Sequence, residues 1–318
     1  MNYDELWRRL AQVLDEGEAK AIARMVYEVR YGLTFTDLCL GKDRQLSADC
    51  QTELEEIARR LLKQEPVQYV LGVADFCGRQ FHVAPGVLIP RPETEELCRW
   101  IISEVRGKKE DVRCKREDVG CKREDVGCKR VEAEDYSILD IGTGSGCIAI
   151  TLAAELSEAE VVAWDISADA LAIAQENASR LDVNILFEQV DILNSQSSTL
   201  NPHPTTINSH PSDLQSQFDL IVSNPPYILN KERARMEANV LDYEPHLALF
   251  VPDDDPLLFY RAIAGYATVA LKPGGWLYFE INPLCATALQ ELFRSMKFSL
   301  IEIKSDAYGK QRMLRAQR

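Results

Sequence analysis

The stretch LDIGTGSGCIAI, residues 139–150, closes one apolar run and opens another, with Gly142, Gly144 and Gly146 between them. Glycine lets a backbone turn sharply and lets a ligand come close where a side chain would stand in the way. A strand that enters a helix through such a loop is the opening unit of a doubly wound sheet. A dinucleotide fingerprint spaces its glycines as G-x-G-x-x-G. Here the third glycine arrives one residue early and Cys147 stands in its place, so the pattern is D-x-G-x-G-x-G, beginning at Asp140. A plain structural turn is the alternative, and the surroundings decide between them.

Outward from that loop, strand and helix alternate. Strands are expected over 137–141, 161–164, 185–190, 218–223, 276–281, 298–304 and 313–316, and helices over 147–156, 168–180, 257–271 and 287–296. The alternation implies a parallel sheet with helices on both faces. Asp165 ends the second strand, where a carboxylate can accept two ribose hydroxyls, and Asp191 ends the third. Either could instead cap the element that follows, Asp191 more readily. All of these lie on the carboxyl edge, where such sheets bind ligands.

A fourth strand ends in SNPPYI, residues 223–228. Two consecutive prolines cannot continue a strand, because each lacks an N–H and fixes φ. They hold a carbonyl away from the sheet instead. The Asn224 side-chain oxygen and the Pro225 carbonyl can accept both hydrogens of an NH2 group, aiming its nitrogen at an incoming electrophile. Pro226 completes the turn, and Tyr227 offers a face for a planar group. This chemistry requires no general base before attack and no metal.

The rest of the chain frames this part. Residues 1–74 read as helices: Leu6, Leu10, Val13 and Leu14 fall at helical spacing, as do Leu54, Ile57, Leu61 and Leu62, with Ser47 placed to cap the later helix. Residues 75–107 read as a hairpin followed by a connecting helix that begins at Pro92. KREDVGC occurs at 115–121 and 122–128 after a degenerate copy, KKEDVRC. Its valines and cysteines lie two apart, which is wrong for a coiled coil, so 108–135 reads as a solvated linker and not a metal or redox device. The stretch 194–217 is polar and aperiodic, and reads as a surface insertion into the doubly wound part, 136–318.

Totals exclude other classes. The net charge of −14 argues against a broad grip on nucleic acid. No run of about 18 apolar residues appears, and MNYDELWRRL lacks the apolar core of a signal peptide. Nine cysteines without a CxxC pair read as reduced thiols in a cytoplasmic protein, by default a monomer.

The loop at Asp140–Gly146 resembles the S-adenosyl-L-methionine loop of Rossmann-like methyltransferases, and N-P-P-Y marks those acting on planar nitrogens. EPVQYVLG at 65–72, F-x-V-x-P-G-V-L-I-P-R-P-E-T-E at 81–95, DYEPHLAL at 242–249 and D-x-x-G-x-x-R at 306–312 narrow the field. Together they resemble the PrmC/HemK family, the peptide chain release factor glutamine N5-methyltransferases, over nearly the whole chain. The resemblance implies a seven-stranded class I catalytic domain, a helical substrate-recognition domain and a hairpin connection. It implies S-adenosyl-L-methionine as cofactor and the Gly-Gly-Gln loop of class 1 release factors as partner, with no nucleic acid or membrane involved. Asp140, Gly142, Thr143, Gly144, Ser145 and Gly146 would hold the methionine part, Asp165 the ribose, and Asp191 with Ile192 the adenine. Ile192 stands where relatives place an aromatic residue. Asn224, which also faces the cofactor, Pro225, Pro226 and Tyr227 would hold the glutamine, with Asn224, Pro225 and Tyr227 catalytic. Arg91 and Glu93 would brace the site, or be an ordinary surface charge and a first-turn acid. The alternatives are a methyltransferase acting on an exocyclic amine of a base, and a catalytically idle cofactor-binding protein. Against the first, residues 1–70 hold 10 Lys and Arg against 13 Asp and Glu, no surface for nucleic acid.

Overall fold

The computed structural model describes residues 1–117, 136–194 and 218–318. The copies of the repeat beyond residue 117 and nearly all of the 194–217 stretch therefore lie outside the described residues.

The amino-terminal unit is α1 (Tyr3–Leu10), α2 (Glu16–Tyr31), α3 (Phe35–Cys39), α4 (Ala48–Leu61) and α5 (Val67–Leu71). Asn2 and Glu5 close a capping box on α1, and Ser47 caps α4 by accepting from Cys50 N, as the sequence suggests. The helical spacing buries Leu6 and Leu10 against Leu54, Ile57 and Leu61. Val13 is an exception: α1 stops at Leu10 and the valine is exposed. α5 lies within the stretch read as helical; Pro66 starts it and Gly72, in the left-handed region, ends it after five residues.

β1 (Val73–Phe76) and β2 (Arg79–His82) form the expected hairpin. Its two-residue turn places Cys77 and Gly78 at φ 47° and 74°, the doubly left-handed geometry that matches strand twist. α6 runs from Pro92 to Glu117, so Pro92 does take the first helical position. The helix continues past the boundary expected at 107: its backbone carries the first copy of the repeat and the start of the second. Gly107 does not stop it, since a single glycine costs a helix only about 1 kcal/mol.

The carboxy-terminal part comprises β3 (Tyr136–Ile141), α7 (Cys147–Glu155), β4 (Ala159–Asp165), α8 (Ala168–Arg180), β5 (Leu186–Gln189) and β6 (Phe218–Ser223). It continues with β7 (Ile228–Leu229), α9 (Ala238–Tyr243), α10 (His246–Leu249), β8 (Phe250–Val251), α11 (Leu258–Ala270), β9 (Leu271–Glu280), α12 (Ala286–Ser295), β10 (Ser299–Ser305) and β11 (Gln311–Gln317). Seven strands share one sheet in the order β10-β11-β9-β6-β3-β4-β5. The sheet is not wholly parallel as the alternation implies: β11 runs antiparallel to both β9 and β10. No helix separates β10 from β11, so the chain returns by a tight turn at Asp306–Gly309 and must reverse.

Strand residues alternate between two cores. Ile138, Leu220, Val222 and Tyr278 pack beneath α6 and α7, while Leu139, Ile221, Leu277 and Phe279 pack beneath α11 and α12. Burial on both faces is what makes these strands read as continuous apolar runs. From β3 the chain winds outward to β4 and β5, then crosses back to β6 on the other side of β3. The loops after β3 and β6 consequently part in opposite directions and leave a crevice between them.

Candidate active site

That crevice opens into a cavity of about 390 Å³. Its floor comes from the carboxyl ends of β3, β4, β5 and β6, and its roof from Gly86–Arg91 and Pro245–Ala248. DYEPHLAL thus acquires a place. Glu244, 4% exposed, accepts from Ile89 N and pairs with Arg91, while the Tyr243 hydroxyl donates to Lys63 O. The roof is thereby tied both to the connection before α6 and to the helical unit. Arg91 lines the cavity; Glu93 does not.

The glycine loop is built for approach. Gly142, Gly144 and Gly146 have φ of 76°, 56° and 81°, where an L side chain is strained. A Cβ on Gly142 or Gly144 would meet nothing within 4 Å, so open space lies over both. A Cβ on Gly146 would come within 2.9 Å of Ile150 Cδ1 and 3.1 Å of Ala174 Cβ. Gly146 serves the close packing of α7 on α8, and it does not line the cavity as expected of it. The loop's own amides are engaged: Gly142 N and Thr143 N donate to Trp164 O, and Gly144 N donates to Asp165 Oδ2 at 2.8 Å.

Asp140 lies beneath the loop. It is fully buried under the loop, where Oδ2 accepts from the Thr143 hydroxyl at 2.7 Å and from Ala149 N at 3.2 Å. Burial pushes its carboxyl up to about 7, against the pull of those two bonds. It shapes the loop from below and does not reach the cavity. Asp165 reaches it, with Oδ1 accepting from Ser167 N at 2.9 Å and lone pairs remaining on both oxygens. Asp191 lines it too, while its oxygens accept from Leu193 N and Asn194 Nδ2 and close the turn that follows β5. Thr143, Ser145 and Ile192 complete this side.

Across the cavity stands Asn224, half-buried, beside Pro225 and Pro226. Ser223 Oγ donates to Ile141 O at 2.6 Å and fixes the end of β6 against β3. Asn224 Nδ2 donates to Thr94 Oγ1 at 3.1 Å, Thr94 Oγ1 donates to Glu280 Oε2 at 2.6 Å, and the Tyr227 hydroxyl donates to Glu280 Oε1 at 2.9 Å. Asn282, just past β9, donates from Nδ2 to the Tyr227 carbonyl at 3.1 Å. Tyr227 is therefore anchored at both ends, through its hydroxyl and its carbonyl, beside Pro225 and Pro226 on the cavity wall. Burial raises both the Glu280 carboxyl and the Tyr227 hydroxyl.

Three of these residues escape a reading of the sequence. Thr94, Glu280 and Asn177 are ordinary polar residues in a helix or strand, and only their burial, at 3%, 1% and 1% exposure, marks them. Asn177 bonds both backbone groups of His82 and the Ser145 carbonyl, tying the hairpin to the glycine loop. No cluster of metal ligands occurs among the described residues, and none of their helices is long and apolar enough to cross a membrane.

Comparison with known proteins places the sequence in a family. Residues 132–307 match a family model described as a methyltransferase domain, and residues 5–72 match one described as the PrmC N-terminal domain. The release factor glutamine methyltransferase of Bacteroides thetaiotaomicron is 42% identical over 97% of this chain and 96% of its own. This chain belongs to the release factor glutamine methyltransferase family. Members from Flavobacterium psychrophilum, 40% identical over 96% of this chain and 94% of theirs, and Streptococcus pneumoniae, 33% over 95% and 93%, extend the match across both the helical unit and the catalytic part.

Proposed function

We propose that the protein transfers a methyl group from S-adenosyl-L-methionine to the side-chain amide nitrogen of the glutamine in the Gly-Gly-Gln loop of class 1 release factors. The observation that carries this reading is the placement of Asn224: at the end of β6, on the cavity, with Nδ2 held by Thr94 so that Oδ1 is left to accept. An amide target needs such an acceptor. Its nitrogen lone pair is delocalised, and two hydrogen bonds from its NH2 group orient it and stabilise the positive charge that develops on attack.

The cavity fits the cofactor's chemistry. The open space over Gly142 and Gly144 admits a ligand against backbone, and Asp165 keeps lone pairs for ribose hydroxyls. Ile192 offers an apolar surface for a purine without the stacking an aromatic ring would add. When bound, the cofactor supplies an electrophilic methyl on a sulfonium. Asn224 Oδ1 and the Pro225 carbonyl would hold the target NH2, and the methylated amide would lose its extra proton to solvent. Asp191 bounds the adenine end while its carboxylate secures the following turn. The roof, from Arg91 to Ala248, limits water. A cytoplasmic location follows from the partner, which acts on ribosomes. The chain acts as a monomer and needs no nucleic acid.

Asn224→Ala tests the reading. Single-turnover transfer to a Gly-Gly-Gln peptide, followed by mass spectrometry, is expected to fall about 10²–10³-fold, the usual cost of one preorganised hydrogen-bond partner. Calorimetry with S-adenosylhomocysteine is expected to give near-normal affinity. A near-normal transfer rate would remove Asn224 from the chemistry.

A further inference from the structure

We propose that Thr94 is a positioning residue for methyl transfer, which holds the Asn224 side chain with Oδ1 toward the target and Nδ2 away from it; this rests on the reading of Asn224 above. The two ends of an asparagine amide are nearly identical in shape, so packing alone selects between them weakly. Hydrogen bonding selects strongly, because one end donates and the other accepts.

The selection comes from a chain of single protons. Thr94, in the first turn of α6, is 3% exposed and lies 130 residues from Asn224 in sequence. Its one hydroxyl proton goes to Glu280 Oε2 at 2.6 Å. What Thr94 can offer Asn224 is therefore a lone pair, which the 3.1 Å contact with Nδ2 uses. Were Asn224 turned the other way, Oδ1 would face the Thr94 lone pairs and Nδ2 would face the NH2 of the target, a mismatch at both ends. Glu280 supplies the direction. Its second oxygen accepts from Tyr227 at 2.9 Å, so both hydroxyls point at the carboxylate and the same group anchors both ends of the Asn224–Tyr227 turn. A carboxylate this buried is costly, and fixing two hydroxyls beside the cavity accounts for its presence.

The arrangement also accounts for the first turn of α6 as a junction. Thr94 reaches Glu280, Glu95 accepts from Cys77 N in the hairpin turn, and Glu96 accepts from Ala307 N in the β10–β11 turn. Placement of α6 thus sets the reach of Thr94 to Asn224.

Thr94→Val keeps the shape and removes both hydrogen bonds, whereas Thr94→Ser keeps the hydroxyl. Thr94 also lines the cavity, and in the single-turnover assay Thr94→Val is expected to slow transfer roughly 10–100-fold, as loss of a hydrogen bond that orients a reacting group's partner typically does. Thr94→Ser is expected to stay within a few-fold of the parent, and affinity for S-adenosylhomocysteine to stay within about twofold in both. Because Thr94 acts through Asn224, adding Thr94→Val to Asn224→Ala is expected to cost nothing more. A Thr94→Val rate within threefold of the parent overturns the proposal, as does full additivity of the two substitutions or equal impairment by Ser and Val. If Thr94→Val fails to fold, Thr94→Ala takes its place in every comparison. Activity surviving in Asn224→Ala would defeat the reading of Asn224 itself; activity lost there but normal in Thr94→Val defeats only the positioning role.

Discussion

Asp165 bonds two backbone amides, Gly144 N in the glycine loop and Ser167 N at the start of α8, and still faces the cavity. Asp165→Ala therefore takes away an acceptor for ligand hydroxyls and also loosens the loop that must admit the ligand. Each charged hydrogen bond contributes about 1.5–3 kcal/mol, so affinity for S-adenosylhomocysteine is expected to fall at least tenfold. Unchanged affinity by calorimetry would place the ribose elsewhere. Asp140, fully buried beneath the glycine loop, makes a different prediction. Burial raises its carboxyl from 3.8 to about 7, so the folded state holds a proton that the unfolded state has released. Stability on this account falls as pH rises from about 4 to 7 and then levels, opposite in sign to a salt-bridged aspartate. Asp140→Asn mimics the protonated form and keeps an acceptor for Thr143. The difference in urea midpoint between pH 5 and pH 8 is expected to shrink in that variant; an unaltered difference would show that Asp140 is ionised throughout. The sequence places both aspartates at strand ends but cannot distinguish their roles, because the distinction is one of depth.

At the scale of the element, three glycines in one loop do two jobs. Gly142→Ala adds a methyl group to open space, so its folding cost is the backbone strain of about 1–2 kcal/mol, while ligand approach is blocked. Gly146→Ala adds the same strain and also drives a methyl into Ile150 and Ala174, worth about 1–3 kcal/mol more. Urea unfolding is expected to rank Gly146→Ala as the less stable, and calorimetry to rank Gly142→Ala as the weaker binder once folded. The reverse order would exchange their roles. Spacing alone presents the three as equivalents; what sits opposite each Cβ direction separates them. α6 shows a similar limit. Its start at Pro92 is legible because proline and the first-turn acids are local signals, but its course to Glu117 runs against a glycine and a repeat that both read as helix-poor.

For the molecule as a whole, every residue assigned to the site lies among the described residues, and neither polar stretch carries a periodic apolar face. Shortening 118–135 and 195–217 together is expected to leave turnover within a few-fold; complete loss of activity in a folded variant would assign them a part in the chemistry. Sequence by itself determined the alternating strands and helices, the approachable glycine loop, the ligand edge and the Asn224–Tyr227 turn. Each of those is a local pattern, written in residues near one another and governed by backbone sterics and periodicity. Tertiary structure alone decided that β11 runs backward, that Asp140 and Tyr227 support the cavity without lining it, and that Glu244 fastens its roof to Arg91. It also brought Thr94 and Glu280, 186 residues apart, to 2.6 Å. A hydrogen bond between distant segments leaves no spacing to read: its partners are chosen by burial, where an unpaired polar group is costly, and burial exists only once the chain has folded.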